Sequence, residues 1–349
     1  MKKLFFYLAK HYVKNFLIIT LALTFTTVLI DFLQHINKIE GFNRKVLYSF
    51  FRFEEYLAFV YPLSMIFAAV TSFYALIQKN HLIVIESFSY TKKQIIKPFI
   101  TLALFIYLLF LALQFTNFAY ANNNAEEIKA KSNMHTLQNL FFKYNDSFVF
   151  AKELDIVHKK FKDVTLYKRD NERIDTIAHF KEAHFKNKAW IATNIEQKKL
   201  LYKEREPIGY ETKKIAQMEI LKGYYPKVIK LLYEGKRMRI DDGIKAYLLS
   251  KEQNIETNKI LSSLLGKIFM PLYALFLIVI IFYYTPISKR FFNKGKYLFY
   301  SIGSALLLWT LLYSLNMLSL AGTINPWLGQ PLVIALLALY ALYCYMKLD

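Results

Sequence analysis

Long uncharged stretches alternate with charged ones along this chain, and their lengths sort it into membrane-spanning and soluble parts. Between flanking charges lie Asn15–Ile30, Tyr56–Gln78, Pro98–Ala125, Ile268–Ser288 and Tyr297–Met346. A run of about 18 apolar residues crosses a ~30 Å hydrocarbon core at ~1.5 Å per residue. The last run holds 50 residues and would reach roughly 75 Å as one helix. It divides at the turn-forming stretch Gly-Thr-Ile-Asn-Pro-Trp-Leu-Gly-Gln-Pro at 322–331. The pattern predicts an α-helical integral membrane protein with six transmembrane helices, arranged 3+3 around a polar block near residues 121–258. Leu4–Tyr12 lengthens the short first span as an amphipathic lead-in whose lysines reach the headgroups. No small-x-small exit follows that run, which is read as an uncleaved span.

Inside the polar block the period changes from helical to two. Ser147–Lys152, Asp163–Lys168, Ile174–Phe180, Glu182–Phe185 and Ala189–Ile195 alternate β-branched or aromatic residues with polar ones. Asn, Asp and Lys turns separate them, at Arg169–Arg173 and Lys186–Lys188. Repeated hairpins at this spacing predict a sandwich, jelly roll or open barrel. After Pro207 the alternation weakens, and the segment from Pro226 to Leu232 reads equally as strand or helix. Asp241 is placed to cap a short helix over Gly243–Lys251. The expected divisions are 1–120 for the first three spans, 121–258 for the β-domain and 259–349 for the last three.

Charge orients the spans. Lys2, Lys3, Lys10, Lys14, Lys79, Lys92, Lys93, Lys97, Lys289, Arg290, Lys294, Lys296 and Lys347 all fall on one side of such a six-span chain. The positive-inside rule makes that side cytoplasmic, with both termini inside and the β-domain outside. The other side carries Lys38, Arg44, Lys45 and Arg52 balanced by Asp31, Glu40, Glu54 and Glu55. The formal charge of +20 thus belongs largely to loops beside anionic headgroups, which argues against nucleic acid as the partner. The one cysteine, Cys344, sits in the last span and excludes an intrachain disulfide.

Catalytic patterns are missing from the sequence. Gly266-Lys267 and Gly295-Lys296 lack the upstream glycine of a phosphate loop, and none of the seven histidines builds H-E-x-x-H. His179 and His184 are five apart in a strand and point to opposite faces if that strand is continuous. The energy for any work then comes from another subunit. No cofactor or metal is expected on this chain, and the expectation is that it is not an enzyme.

Two places carry more specific expectations. The segment 79–94 is too long for a tight turn, and Leu82, Ile85 and Phe88 recur at i, i+3 and i+6 with Glu86 beside them. It reads either as a helix docked into a groove on a soluble motor or as a cap lying on the headgroups. The second place is the basic scatter Lys38, Arg44 and Lys45 with Lys267 at the start of the fourth span. A lysine in an apolar run either snorkels to the surface or meets an anionic headgroup. A receptor or a structural scaffold with an external β-domain shares this layout.

The order of these features resembles the LptF/LptG (YjgP/YjgQ) family of lipopolysaccharide export permeases. The resemblance is carried by Tyr61-Pro-Leu-Ser-Met-Ile-Phe-Ala-Ala, Phe148-Val-Phe, Val164-Thr-Leu-Tyr, Ala189-Trp-Ile and Lys267-Ile-Phe-Met-Pro-Leu. Leu29-Ile-Asp-Phe-Leu is slightly more similar to LptG. The resemblance implies an inner-membrane ABC transporter permease with a periplasmic jelly-roll-like domain, paired with its paralogue. It implies two copies of the ATPase LptB binding ATP and Mg, a periplasmic LptC/LptA bridge, and lipopolysaccharide as cargo. His81, Leu82, Ile85, Glu86, Phe88, Lys92 and Lys93 are then the ATPase-coupling residues. Leu29, Lys38, Arg44, Lys45 and Lys267 are the lipid-facing ones. The family commonly has an acid where His81 stands and a glycine where Ser89 stands, and this chain departs from it at both.

Overall fold

A computed structural model describes residues 2–129, 136–144, 147–156, 158–170, 173–186, 189–203, 206–226, 229, 238–252 and 257–348. The segment after Pro226 that reads as strand or helix lies mostly outside these residues. The chain forms two compact units, Met1–Lys129 with Leu261–Asp349, and Ala130–Ile260. In chain order the helices are α1 (Lys2–His35), α2 (Phe42–Gln78), α3 (His81–Ser87), α4 (Lys92–Leu113), α5 (Ala121–Lys129), α6 (Ile240–Glu252), α7 (Asn258–Phe269), α8 (Leu272–Tyr283), α9 (Lys294–Leu320) and α10 (Gln330–Met346). The strands are β1 (Thr136–Tyr144), β2 (Ser147–Asp155), β3 (Lys160–Asp170), β4 (Arg173–Lys186), β5 (Ala189–Lys203) and β6 (Glu206–Ile220).

In the helical unit five segments are long and apolar enough to cross a membrane: α1, α2, α4, the α7–α8 pair and α9. The sixth expected span, α10, is apolar but only 17 residues long. Its separation from α9 follows turn chemistry. Gly322 takes φ +82°; its N–H bonds Ser319 O at 3.1 Å while that of Thr323 bonds Leu318 O at 3.1 Å. These two bonds form the reciprocal closure in which a glycine ends a helix. α2 is the central post, with Val60–Ile66 and Ala68–Val70 buried almost continuously. α1 and α9 keep long apolar faces bare, including Leu17, Ile18, Leu21, Phe25 and Leu29 on α1.

Two spans depart from their expected bounds. The third ends at Leu113, short of Ala125, because Gln114 closes the helix and the Thr116 side chain accepts the N–H of Phe118 to start a new turn. Counting charges could not see this stop, since Gln, Thr and Asn carry none. α5 then folds back on α2, so the helical unit runs to Lys129 and past the expected boundary at residue 120. The fourth span begins at Asn258, ten residues before Ile268, and breaks at Met270–Pro271. Proline has no N–H and cannot continue the ladder. The Tyr107 hydroxyl donates to the Ile268 carbonyl at 3.1 Å, giving a partner to a backbone group beside the break.

The second unit is an open antiparallel meander in which each strand pairs only with its neighbours in sequence. The described strands therefore lack the crossed connections of a jelly roll or sandwich. β1 and β6, where alternation is weak, were not anticipated. A single sheet buries a core here because it is creased. Along every strand the core-facing residues step by two except at one point, where the step is three. These points are Leu137/Leu140, Ala151/Leu154, Phe161/Val164, Phe180/Ala183, Ala192/Ile195 and Ile215/Met218. At the same points the pairing skips Asn139, Lys152, Asp163, Lys181, Asn194 and Ala216, and between β4 and β5 also Phe180 and Ile195. Asn139, Asp163 and Asn194, on alternate strands, hold left-handed φ of 54°, 53° and 53°, a region that Asn and Asp enter more readily than other side chains.

The sheet curls so that distant strands share one core. Trp190, on β5, donates its Nε1–H to Tyr224 O at 2.6 Å, while the Tyr224 ring lies against Phe142 and Tyr144 at the opposite end of β1. In a flat sheet β1 and β5 would stand four spacings of about 4.8 Å apart. Trp190 and Phe161, 4.2 Å between ring centroids, are fully enclosed. Burial raises the Tyr224 hydroxyl to about 12. The crease also corrects the histidines. By slipping the phase at Lys181 it leaves His179 and His184 on the same outer face, where they lie near Asp163 at 3.4 Å and Glu182 at 3.8 Å. Asp241 is no cap: it lies within α6, gripped by Arg239 at 2.9 and 2.7 Å. That grip holds its carboxyl below the usual range.

Candidate functional site

The first place is built by two tight reversals around α3. Asn80 enters it at φ 58° and Ser89 leaves it at φ 62°. Ser89 N–H bonds Glu86 O at 2.8 Å. Thr91 and Gln94 then cap α4 reciprocally, each side chain accepting the other's N–H at 3.3 and 3.2 Å. Leu82 and Ile85 point inward, buried in the core that also holds Leu8, Tyr12, Ile77 and Ile95. Ile83, Val84 and Phe88 point outward, Phe88 with 72% of its surface exposed. Glu86 is exposed beside them, and Lys92 and Lys93 sit partly buried in the first turn of α4. His81 meets α1: its Nδ1 lies 2.8 Å from the Tyr7 hydroxyl. Among the expected residues here, therefore, two seat the helix and one ties it, while Phe88 and Glu86 stay exposed.

The second place separates into three. Leu29 and Lys38 are exposed, on α1 and just beyond it. Arg44 is committed to a carbonyl, its guanidinium donating to Ile128 O at 2.6 Å at the end of α5, with Lys45 half-buried next to it. Lys267 donates to Gln114 Oε1 at 2.8 Å. Around it the α7–α9 contact is polar and close. Ser262 and Ser319 hydroxyls meet at 2.7 Å, and a Cβ on Gly266 would fall 2.9 Å from Asn316 Oδ1. Any larger residue at Gly266 has to displace that amide.

A third constellation escaped the sequence reading. Arg52, 5% exposed, lies 3.3 Å from Asp31 of α1 and 2.5 Å from Glu55, and also bonds Glu126 of α5. Tyr48 and Tyr56 donate to the two oxygens of Asp31 at 2.6 and 3.0 Å, and Asn122 bonds Glu55. Counted as charges these groups balanced and were passed over. The available signal was their place, a cation and acids at the edges of two apolar runs. Buried charges persist only when paired and hydrogen-bonded, and this network joins α1, α2 and α5. Among the described residues no group of His, Cys, Asp and Glu is placed to hold a metal ion.

A family model described as "Lipopolysaccharide export system permease LptF/LptG" matches residues 6–347. The chain belongs to this family. The family spans both LptF and LptG, and no curated protein matches the chain. As a family member it is a multi-pass membrane protein of the lipopolysaccharide-export permease type. Several residues that carry the LptF/LptG resemblance hold core positions. Tyr61 stacks on Phe110 with centroids 4.0 Å apart, Trp190 fills the creased sheet, and Pro271 breaks the fourth span.

Proposed function

We propose that this chain is one permease subunit of an ABC transporter that extracts lipopolysaccharide from the inner membrane. In this reading it pairs with a paralogous LptF or LptG subunit. An LptB dimer supplies ATP hydrolysis with Mg, and the cargo passes to a periplasmic bridge of LptC and LptA. The observation that carries the reading is the family match over residues 6–347. α3 supports it: seven residues held by two buried side chains present Ile83, Val84, Phe88 and Glu86 to a partner. α10 is the sixth span, because an even number returns Lys347 to the side of the other twelve flanking cations. Both termini are then cytoplasmic and the creased sheet is the first module of the periplasmic bridge. Leu29, Lys38, Lys45 and Lys267 line the lipid's way, with Lys267 steadied by Gln114.

Phe88→Asp tests the energy input. It leaves Leu82 and Ile85 in place, so the chain still inserts, while copurification of the ATPase subunit is lost. Full ATPase recovery with Phe88→Asp would reduce α3 to a cap on the headgroups. Cysteines at Lys181 and Lys289, both exposed, test the orientation in a cell with a permeabilised outer membrane. An impermeant thiol reagent should label the first and spare the second, and the reverse pattern would sink the transport reading.

A further inference from the structure

We infer that Tyr7 is a positioning residue that couples α3 to α1, so that displacement of α3 is carried along α1 as a rigid rod. The inference rests on the reading of α3 as the docking helix. α3 has seven residues and no side-chain cap at its start, too short to hold its own direction. Leu82 and Ile85 fix its depth in the core. Its entry is held by His81, 2.8 Å from the Tyr7 hydroxyl, and the Tyr7 ring is braced edge-on by His11 at 4.8 Å.

The same stretch of α1 is fastened elsewhere. Leu8 and Tyr12 are fully buried, Tyr12 donates to Met65 O at 3.2 Å, and Asn15 donates to Ser72 Oγ at 2.8 Å. From Leu17 onward the apolar face of α1 is bare, at Leu17, Ile18, Leu21, Phe25, Leu29 and Leu33. α1 is therefore fastened here and again at Asp31, which Arg52, Tyr48 and Tyr56 hold, with a bare outer face between the two points. It is also the longest helix of its unit without glycine or proline. α2 contains Pro62, α4 Pro98, α9 Gly295 and Gly303, and α10 Pro331, while the 34 residues of α1 include neither Gly nor Pro. A rod of roughly 50 Å without a hinge passes a load at Tyr7 to Asp31 and its Arg52 partner. A kinked helix would absorb it.

The test uses the whole transport complex in proteoliposomes with purified lipopolysaccharide. Tyr7→Phe removes one oxygen from an exposed side chain. Insertion, melting temperature and ATPase copurification should stay at wild-type values. Lipid released per ATP hydrolysed should fall about five-fold, the size of one lost hydrogen bond of about 1 kcal/mol, and backbone hydrogen exchange over 81–88 should rise by a similar factor. Leu21→Gly with Ala22→Gly softens the rod between its two fastened points and should lower the same ratio without raising exchange at α3. An unchanged lipid-per-ATP ratio in either variant overturns the inference. Loss of ATPase copurification in Tyr7→Phe also overturns it, because Tyr7 would then belong to the docking surface. Retained ATPase binding by Phe88→Asp removes the α3 reading beneath it, a failure seen without any Tyr7 variant.

Discussion

The helical unit and the creased sheet meet the same difficulty, an interruption of regular structure inside a core, and resolve it in opposite ways. In the helical unit each interruption stands alone. The break at Pro271 is served by one hydroxyl, from Tyr107, and the buried Arg52 by its own set of carboxylates. A helix satisfies its backbone internally, so a break in one does not oblige its neighbour to break. A strand is satisfied by its neighbours, so a skipped pair in β1 propagates to β6. The crease is a property of the sheet, and no single residue makes it.

The comparison can be broken most severely at Arg52. Arg52→Leu leaves Asp31 and Glu55 desolvated without their guanidinium, which should cost ~3–5 kcal/mol and lower the melting temperature of the detergent-solubilised chain. A loss below about 1 kcal/mol, the range of an exposed pair, would show that water reaches the network. Tyr107→Phe comes next. If one hydroxyl repairs the helix break, its removal should cost ~1–3 kcal/mol, with faster exchange confined to residues around Met270. Exchange spreading through α2 would mean that helical breaks are shared after all.

In the sheet the expectation is the reverse. Asn194→Val forces a β-branched residue to φ 53° and should cost about 1–2 kcal/mol, while Asn194→Gly should not. Because the crease is collective, Asn194→Val should speed exchange at β3 and β1 as well as β5. Acceleration restricted to β5 would make the crease six independent bulges. Ser89→Gly is the smallest effect. Ser89 sits at φ 62°, a conformation glycine adopts without strain, and glycine there should raise stability by about 1 kcal/mol or less. A decrease would show that the serine side chain does something its backbone angle does not reveal.

Much of this architecture could be read from local pattern. The apolar runs anticipated α1, α2, α4, α8 and α9, and the turn at 322 anticipated the end of α9, because length, hydropathy and glycine act within a few residues. The strands β2 to β5 were visible as alternation for the same reason. Even the crease left a trace: each strand moves from a step of two to a step of three between core residues, as at Phe161 and Val164. One strand with such a step is only a bulge, and recognising a crease requires knowing which strands lie side by side.

What tertiary structure alone decided was the partner of each polar group. The sequence by itself determined that Asp31, Arg52, Glu55 and Glu126 exist near apolar runs. Only the packing of α1, α2 and α5 turned them from a balanced external charge into a buried network. Likewise the i, i+3, i+6 spacing in α3 marked Leu82, Ile85 and Phe88 as one stripe, whereas the fold gave two of them to its own core and left Phe88 outside. Hydropathy is a property of a residue and its near neighbours. Burial and pairing depend on which distant segment arrives to cover them, as α1 does for His81 and α4 does for Lys267.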